Sequence, residues 1–143
     1  MDNRLDLPGY KYYRRPDGSR PAVQVAFADI IPEPGGPSVN GVCAPVEPAA
    51  LAALDARERN YDRIDVTDRL EDPPGRTWAY TGSIAGRARL ARGMALRTAV
   101  VARGYLALVE AGFRALGAEE WAAFRDSSAL DSLPVHDLER VDL

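Results

Sequence analysis

The chain has 143 residues, 46% of them apolar and 27% charged, with a formal net charge of −3. That length amounts to a single domain, and the near-balanced charge argues against the broad basic footprint of a nucleic-acid-binding surface. Cys43 is the only cysteine and His136 the only histidine, so an intrachain disulfide is excluded, a Cys/His zinc site lacks ligands, and a Ser-His-acid arrangement would hang on His136 with no nucleophile-elbow sequence to support it.

Residues 1–21 are polar and interrupted by Pro8, Gly9, Pro16, Gly18 and Pro21, which predicts a short strand or irregular arm with a turn at Asp17-Gly18. Val23, Val25 and Phe27 share one face of a strand over 22–31, which Ile30 and Ile31 extend. A proline-glycine loop follows over 32–37. Val42, Ala44 and Val46 predict a second strand over 39–46, with Gly41 permitting close backbone approach. Pro48 fits the start of a helix, and Leu51 and Leu54 carry its apolar side as far as about Arg57.

Alternation returns over 61–67, where Ile64 and Val66 oppose Tyr61, Arg63 and Asp65. A turn over 71–75 leads to a fourth strand, in which Trp78, Tyr80, Gly82 and Ile84 alternate with Ala79, Thr81 and Ser83. The period then changes. Leu90, Met94, Val101, Tyr105, Leu108, Gly112 and Leu116 predict an amphipathic helix broken near Gly93 or Gly104. A short helix starts at Glu119, and residues 127–143 read as an irregular, partly packed tail. Strands first and helices later predict an α+β domain: a small mixed β-sheet or barrel with peripheral helices. No N-terminal apolar segment resembles a signal peptide and no run approaches the roughly 18 apolar residues of a membrane span, so a cytoplasmic protein with no membrane partner is expected.

Ionisable groups concentrate over 55–63. Glu58 ends the short helix just before a strand, where it can be aimed into a cavity. Burial raises a carboxylate pKa and a nearby arginine lowers it, and Arg57 and Arg59 point elsewhere if the segment is still helical. A partly desolvated Glu58 could shuttle a proton near neutral pH; the competing reading is a solvated helix end. Asp55 and Arg59, four apart, could form a helical ion pair worth about 0.2–0.5 kcal/mol. Tyr61 and Tyr105 could line a pocket, ring against apolar groups and hydroxyl toward a ligand, or simply be core aromatics. Trp78 and Tyr80 fit sheet packing. Gly82, Ser83 and Gly86 lack the Walker spacing and its lysine. Arg87, Arg89, Arg92, Arg97 and Arg103 read as a solvated helix face. Lys11, the only lysine, is expected to be exposed, and Cys43 to be a small buried residue rather than a nucleophile.

In chain order, Gly9-Tyr10-Lys11, Val39-Asn40-Gly41-Val42, the run Leu54-Asp55-Ala56-Arg57-Glu58-Arg59-Asn60-Tyr61-Asp62-Arg63, and Gly104-Tyr105 with Gly112 and Gly117 resemble the γ-glutamylcyclotransferase-like family over roughly residues 10–135. The resemblance implies a small mixed-sheet barrel and intramolecular aminolysis of a γ-glutamyl amine, releasing an amine and 5-oxoproline. It implies Glu58 as the catalytic acid–base, with Gly41, Tyr61, Arg63 and Tyr105 binding substrate and no metal or organic cofactor. The chain reaches Gly9-Tyr10 without the family's Tyr-Gly-Ser-like loop, whose N–H groups hold the substrate carboxylate. Three explanations follow: an upstream start, a second chain or homodimer partner that completes the sheet, or a scaffold kept for noncatalytic binding or assembly.

Overall fold

The computed structural model describes residues 1–5 and 10–142. Pro8 and Gly9, read above as part of the N-terminal arm and of the Gly-Tyr-Lys motif, lie outside the described residues. Strand β1 (Lys11–Arg14) turns at Asp17, whose carboxylate accepts from the Ser19 N–H and hydroxyl. Strand β2 (Gln24–Ala26) is buried at every position, and it is flanked by the first residues of the chain: Asp2 bridges Gln24, the Met1 ammonium donates to the Val25 carbonyl, and the Val25 N–H donates to the Met1 carbonyl. Residues 28–31 do not continue the strand. They leave the sheet, and Ile31 is exposed.

Residues 39–46 are not a strand. The segment pairs with no described strand, and Val39, Val42 and Val46 are exposed. Alternation marks a two-faced segment, but a strand also requires a neighbour for its backbone groups. Cys43, in the same stretch, is exposed rather than buried. A 3-10 turn (Pro48–Ala50), with proline in its first turn, leads into helix α1 (Leu51–Arg57). Strands β3 (Tyr61–Asp65) and β4 (Trp78–Gly82) then form an antiparallel hairpin in the register Tyr61↔Gly82, Arg63↔Tyr80 and Asp65↔Trp78.

Helix α2 (Ile84–Ala95) begins where the fourth strand was expected to continue. Ser83 caps it by accepting the Gly86 N–H at 3.1 Å, so Ile84 stands on the first turn, almost wholly exposed. The break expected near Gly93 or Gly104 is present, and it holds a strand. Arg97 adopts a left-handed φ of 54° and the chain enters strand β5 (Ala99–Ala102). The Ala-Val-Val-Ala run is short, apolar and buried, the form a parallel strand takes when both faces are covered. At Gly93 a Cβ would sit 2.7 Å from Gln24 Cγ, so only glycine lets α2 lie this close to β2.

Helices α3 (Arg103–Leu116) and α4 (Ala118–Asp126) pack together through stacked Phe113 and Phe124, 4.0 Å between ring centroids. The tail is ordered into strands rather than irregular: β6 (Val135–His136) lies parallel to β5, and β7 (Glu139–Asp142) lies antiparallel to β1. The architecture is a small mixed α+β domain. Its described strands form three separate sheets, β1-β7, parallel β2-β5-β6 and β3-β4, rather than one continuous sheet. Tyr13, Val25, Val100, Ala102 and Leu138 make the core, with Phe27 and Tyr105 packed on its margin. No helix among the described residues is long and apolar enough to cross a membrane.

Candidate functional site

Glu58 is the C-cap of α1, with φ −86° and ψ 54°. Because the backbone has left the helical region, neighbouring side chains can meet. Arg57 Nε donates to Glu58 Oε1 at 2.9 Å, against the expectation that Arg57 points away. The glutamate side chain is 27% exposed and that of Arg57 69%, so the pair sits at the protein–water boundary and is weakly held.

The Tyr61 hydroxyl donates to the Ala28 carbonyl at 2.7 Å, and the Tyr105 hydroxyl accepts from the Ala28 N–H at 2.9 Å. Two tyrosines 44 positions apart in the chain thus clamp both backbone groups of one residue just beyond β2. Tyr105 has spent an acceptor site, and its own O–H has no acceptor among the described residues. Burial raises the pKa of Tyr61, reinforced by Tyr105, Asp29 and Glu58. Burial also raises that of Tyr105 against the Ala28 hydrogen bond, with Glu58 adding to the rise. Both therefore remain protonated hydroxyls at neutral pH, fit to donate hydrogen bonds rather than to act as bases.

Glu58 also acts electrostatically on Tyr10, whose pKa is raised first by burial, and on Lys11, whose pKa is lowered first by burial and then by Arg140. Lys11 is half-buried rather than exposed. On β1 it shares a face with core residue Tyr13, and its ammonium sits 4.5 Å from the Phe27 ring centroid and 5.5 Å from that of Tyr10. Phe27 in turn meets Tyr105 edge-on at 5.1 Å. Tyr10, Lys11, Phe27 and Tyr105 therefore form one cluster of ring and cation contacts, joined to Tyr61 through Ala28, and Glu58 acts on it electrostatically.

Phe27 and Asp29 are common to the walls of two hollows. A small one of about 50 Å³ includes Asn60, Tyr61 and Gly82. A larger groove of about 730 Å³ includes Tyr105, Leu106, Val109 and Phe113. Glu58 lines neither; it stands two residues from the Asn60–Tyr61 wall of the smaller one. That wall is braced by a charged node. Asp29 accepts from Arg87 Nε at 2.9 Å and from the Gly82 N–H, while Arg87 also donates to Thr81 Oγ1 at 2.7 Å. A Cβ on Gly82 would come within 2.4 Å of Asp29 Oδ2, so the node requires glycine there.

Two expected ligand-binding residues lie elsewhere. Arg63 is engaged by Asp55 at 2.9 Å and lies over Trp78, whose ring is also approached by Arg76, each guanidinium 5.3 Å from the centroid. Asp55 also accepts from the Tyr80 hydroxyl at 2.7 Å. The expected Asp55–Arg59 helical pair is replaced by these contacts because α1 ends at Arg57, before that turn is complete. Gly41 lies in the exposed 39–46 segment, with nothing within 4 Å of its Cβ direction. Lys11 and Phe27 were not read as site residues. The available signal was period two, since Lys11 and Tyr13 fall on one face of a short strand. Among the described residues, no group of three or more His, Cys, Asp or Glu side chains is placed to hold a metal. No protein-family model matches the chain, nor does any curated protein or solved structure.

Proposed function

We propose that the chain is a γ-glutamylcyclotransferase-like enzyme that releases an amine and 5-oxoproline from a γ-glutamyl amide, with Glu58 as the proton carrier. One observation carries the reading: the Glu58 carboxylate, at the protein–water boundary, acts electrostatically on two protonated tyrosine hydroxyls and on a half-buried ammonium. In the reaction the α-nitrogen of the substrate attacks its own γ-carbonyl carbon. The new C–N bond closes a five-membered lactam, and the C–N bond to the departing amine breaks. Two protons leave the α-ammonium and two arrive on the leaving nitrogen, so a single carboxylate can carry them in turn. Nucleophile and electrophile belong to one molecule, so the site's task is to fold the substrate and move protons. The unused Tyr105 O–H is suited to donate to the oxyanion formed on attack.

The alternative is a noncatalytic binding or assembly protein on the same scaffold. It is favoured by the Arg57–Glu58 ion pair, which occupies the carboxylate that must accept a proton. Incubation with a panel of γ-glutamyl amines separates the two. The enzymatic reading expects 5-oxoproline in step with free amine, and expects Glu58→Gln to abolish both while leaving the melting temperature unchanged. A folded wild-type protein that forms no 5-oxoproline across the panel supports the binding reading instead.

A further inference from the structure

Helix α3 is apolar on two sides. Its inward side, with Leu106, Val109 and Phe113, lines the larger groove. Its outward side carries Gly104, Leu108, Ala111, Gly112, Ala115 and Leu116, all exposed, Leu108 to 72%. The charged residues of the helix, Arg103, Glu110 and Arg114, are turned away from that side by the helical period. They also have partners: Arg103 pairs with Asp137, and Glu110 with Arg114, whose guanidinium lies over Trp121 of α4 at 4.2 Å. A surface helix is ordinarily polar on its outward side, and one that is apolar on both sides is covered on both. Within the outward side, Gly104, Leu108, Gly112 and Leu116 follow at steps of four and make one ridge of the helix. Nothing lies within 4 Å of the Cβ position at Gly104 or Gly112, so each glycine is an open notch between projecting leucines.

We propose that this ridge is the contact of a two-fold dimer, in which α3 packs antiparallel against α3 of a second copy of the chain. A two-fold axis permits two alignments of a helix with itself. Parallel and in register, leucine meets leucine and glycine meets glycine. Antiparallel and centred on position 110, Leu108 sits over the partner's Gly112 and Leu116 over the partner's Gly104. Every leucine then fills a notch, at the crossing of about −50° where ridges of i±4 spacing interlock. The ridge is complementary to itself, which favours a second copy over an unlike partner. The area suffices. The chain exposes 9858 Å², a compact monomer of its mass about 7,200 Å², and a stable dimer covers only about 800 Å² on each partner.

The test is sedimentation equilibrium of the full chain. Wild type is expected to dimerise reversibly. Gly112→Leu adds apolar surface and meets nothing in its own fold, yet it fills the notch and is expected to weaken the dimer at least about tenfold. Leu108→Gly sets notch against notch and is expected to weaken it to a similar degree. The double variant Leu108→Gly/Gly112→Leu exchanges knob and notch, restores the antiparallel match, and is expected to regain most of the lost affinity. Circular dichroism melts read whether each variant is folded. Gly112→Leu puts a better helix former at an open position and carries the test by itself. A wild-type monomer at every concentration overturns the proposal. Tighter association of Gly112→Leu also overturns it, because that outcome marks unspecific apolar contact. A folded double variant no stronger than its two parents overturns the antiparallel pairing.

Discussion

Asn3 shows how much a single side chain can organise here. It is fully buried, and both of its polar atoms are engaged: Nδ2 donates to the Tyr13 and Pro21 carbonyls at 2.8 and 2.9 Å, and Oδ1 accepts the Tyr13 N–H at 2.7 Å. It thus joins the N-terminal residues to β1, which carries Lys11, and to the approach to β2, which Phe27 directly follows. Asn3→Ala leaves the Tyr13 N–H and carbonyl without partners, while the Pro21 carbonyl keeps the Val23 N–H at 3.0 Å, and is expected to lower stability by roughly 2–3 kcal/mol in urea unfolding. A midpoint shift worth less than about 0.5 kcal/mol, the scatter of ordinary surface substitutions, would show that water replaces the amide. Glu58 illustrates the opposite case. Its backbone conformation, rather than its helix, decides that Arg57 is its partner, and Glu58→Gln is therefore expected to alter turnover far more than folding.

At the scale of elements, the β3–β4 hairpin is set by side chains at its loop end. Asp65 accepts from the Thr67 N–H and hydroxyl at 3.0 and 2.6 Å and from Arg76 Nε at 2.9 Å, so one carboxylate ties the strand end to the returning chain. The Thr67 hydrogen bonds, with Arg76 adding to them, lower its pKa to about 2. The sign follows from linkage: the folded state binds its proton less readily than the unfolded chain, so its stabilisation is complete above the ordinary carboxylate pKa and is lost as pH falls toward 2. In a carboxyl-carbon NMR titration, Asp65 is expected to remain ionised after other exposed aspartates have protonated. A midpoint at the ordinary aspartate value would mean the carboxylate does not hold the turn in solution. Along α2 the deciding contact is between elements: Gly93 lies against Gln24, and the helix thereby covers the parallel sheet.

For the whole molecule, area is the telling quantity. A compact monomer of 15.5 kDa exposes roughly 7,200 Å² by the scaling of surface with mass, whereas this chain exposes 9858 Å². Part of the excess is apolar: Val42, Leu108 and Ile84 are 74%, 72% and 88% exposed. Apolar surface on this scale favours association. Sedimentation velocity over a concentration series is expected to show species heavier than 15.5 kDa. A single monomeric boundary at every concentration would contradict this.

Local pattern alone settled a good deal. Alternation at Tyr61, Arg63 and Asp65, matched by Trp78 and Tyr80, predicted both strands of the hairpin, and Pro48, Leu51 and Leu54 predicted α1 ending at Arg57. These follow from the side-chain period of a short segment, which needs no knowledge of its neighbours. The tertiary structure alone decided that 39–46 has no strand partner, that 99–102 is a strand inside an apparent helix, and that the tail closes onto β1 and β5. It also laid Lys11 over the Phe27 ring while holding Arg63 against Asp55 and leaving Gly41 exposed. The reason is that period reports only whether a segment has two faces. Which neighbour completes its hydrogen bonds, and which charge meets which, depends on residues far away in the chain.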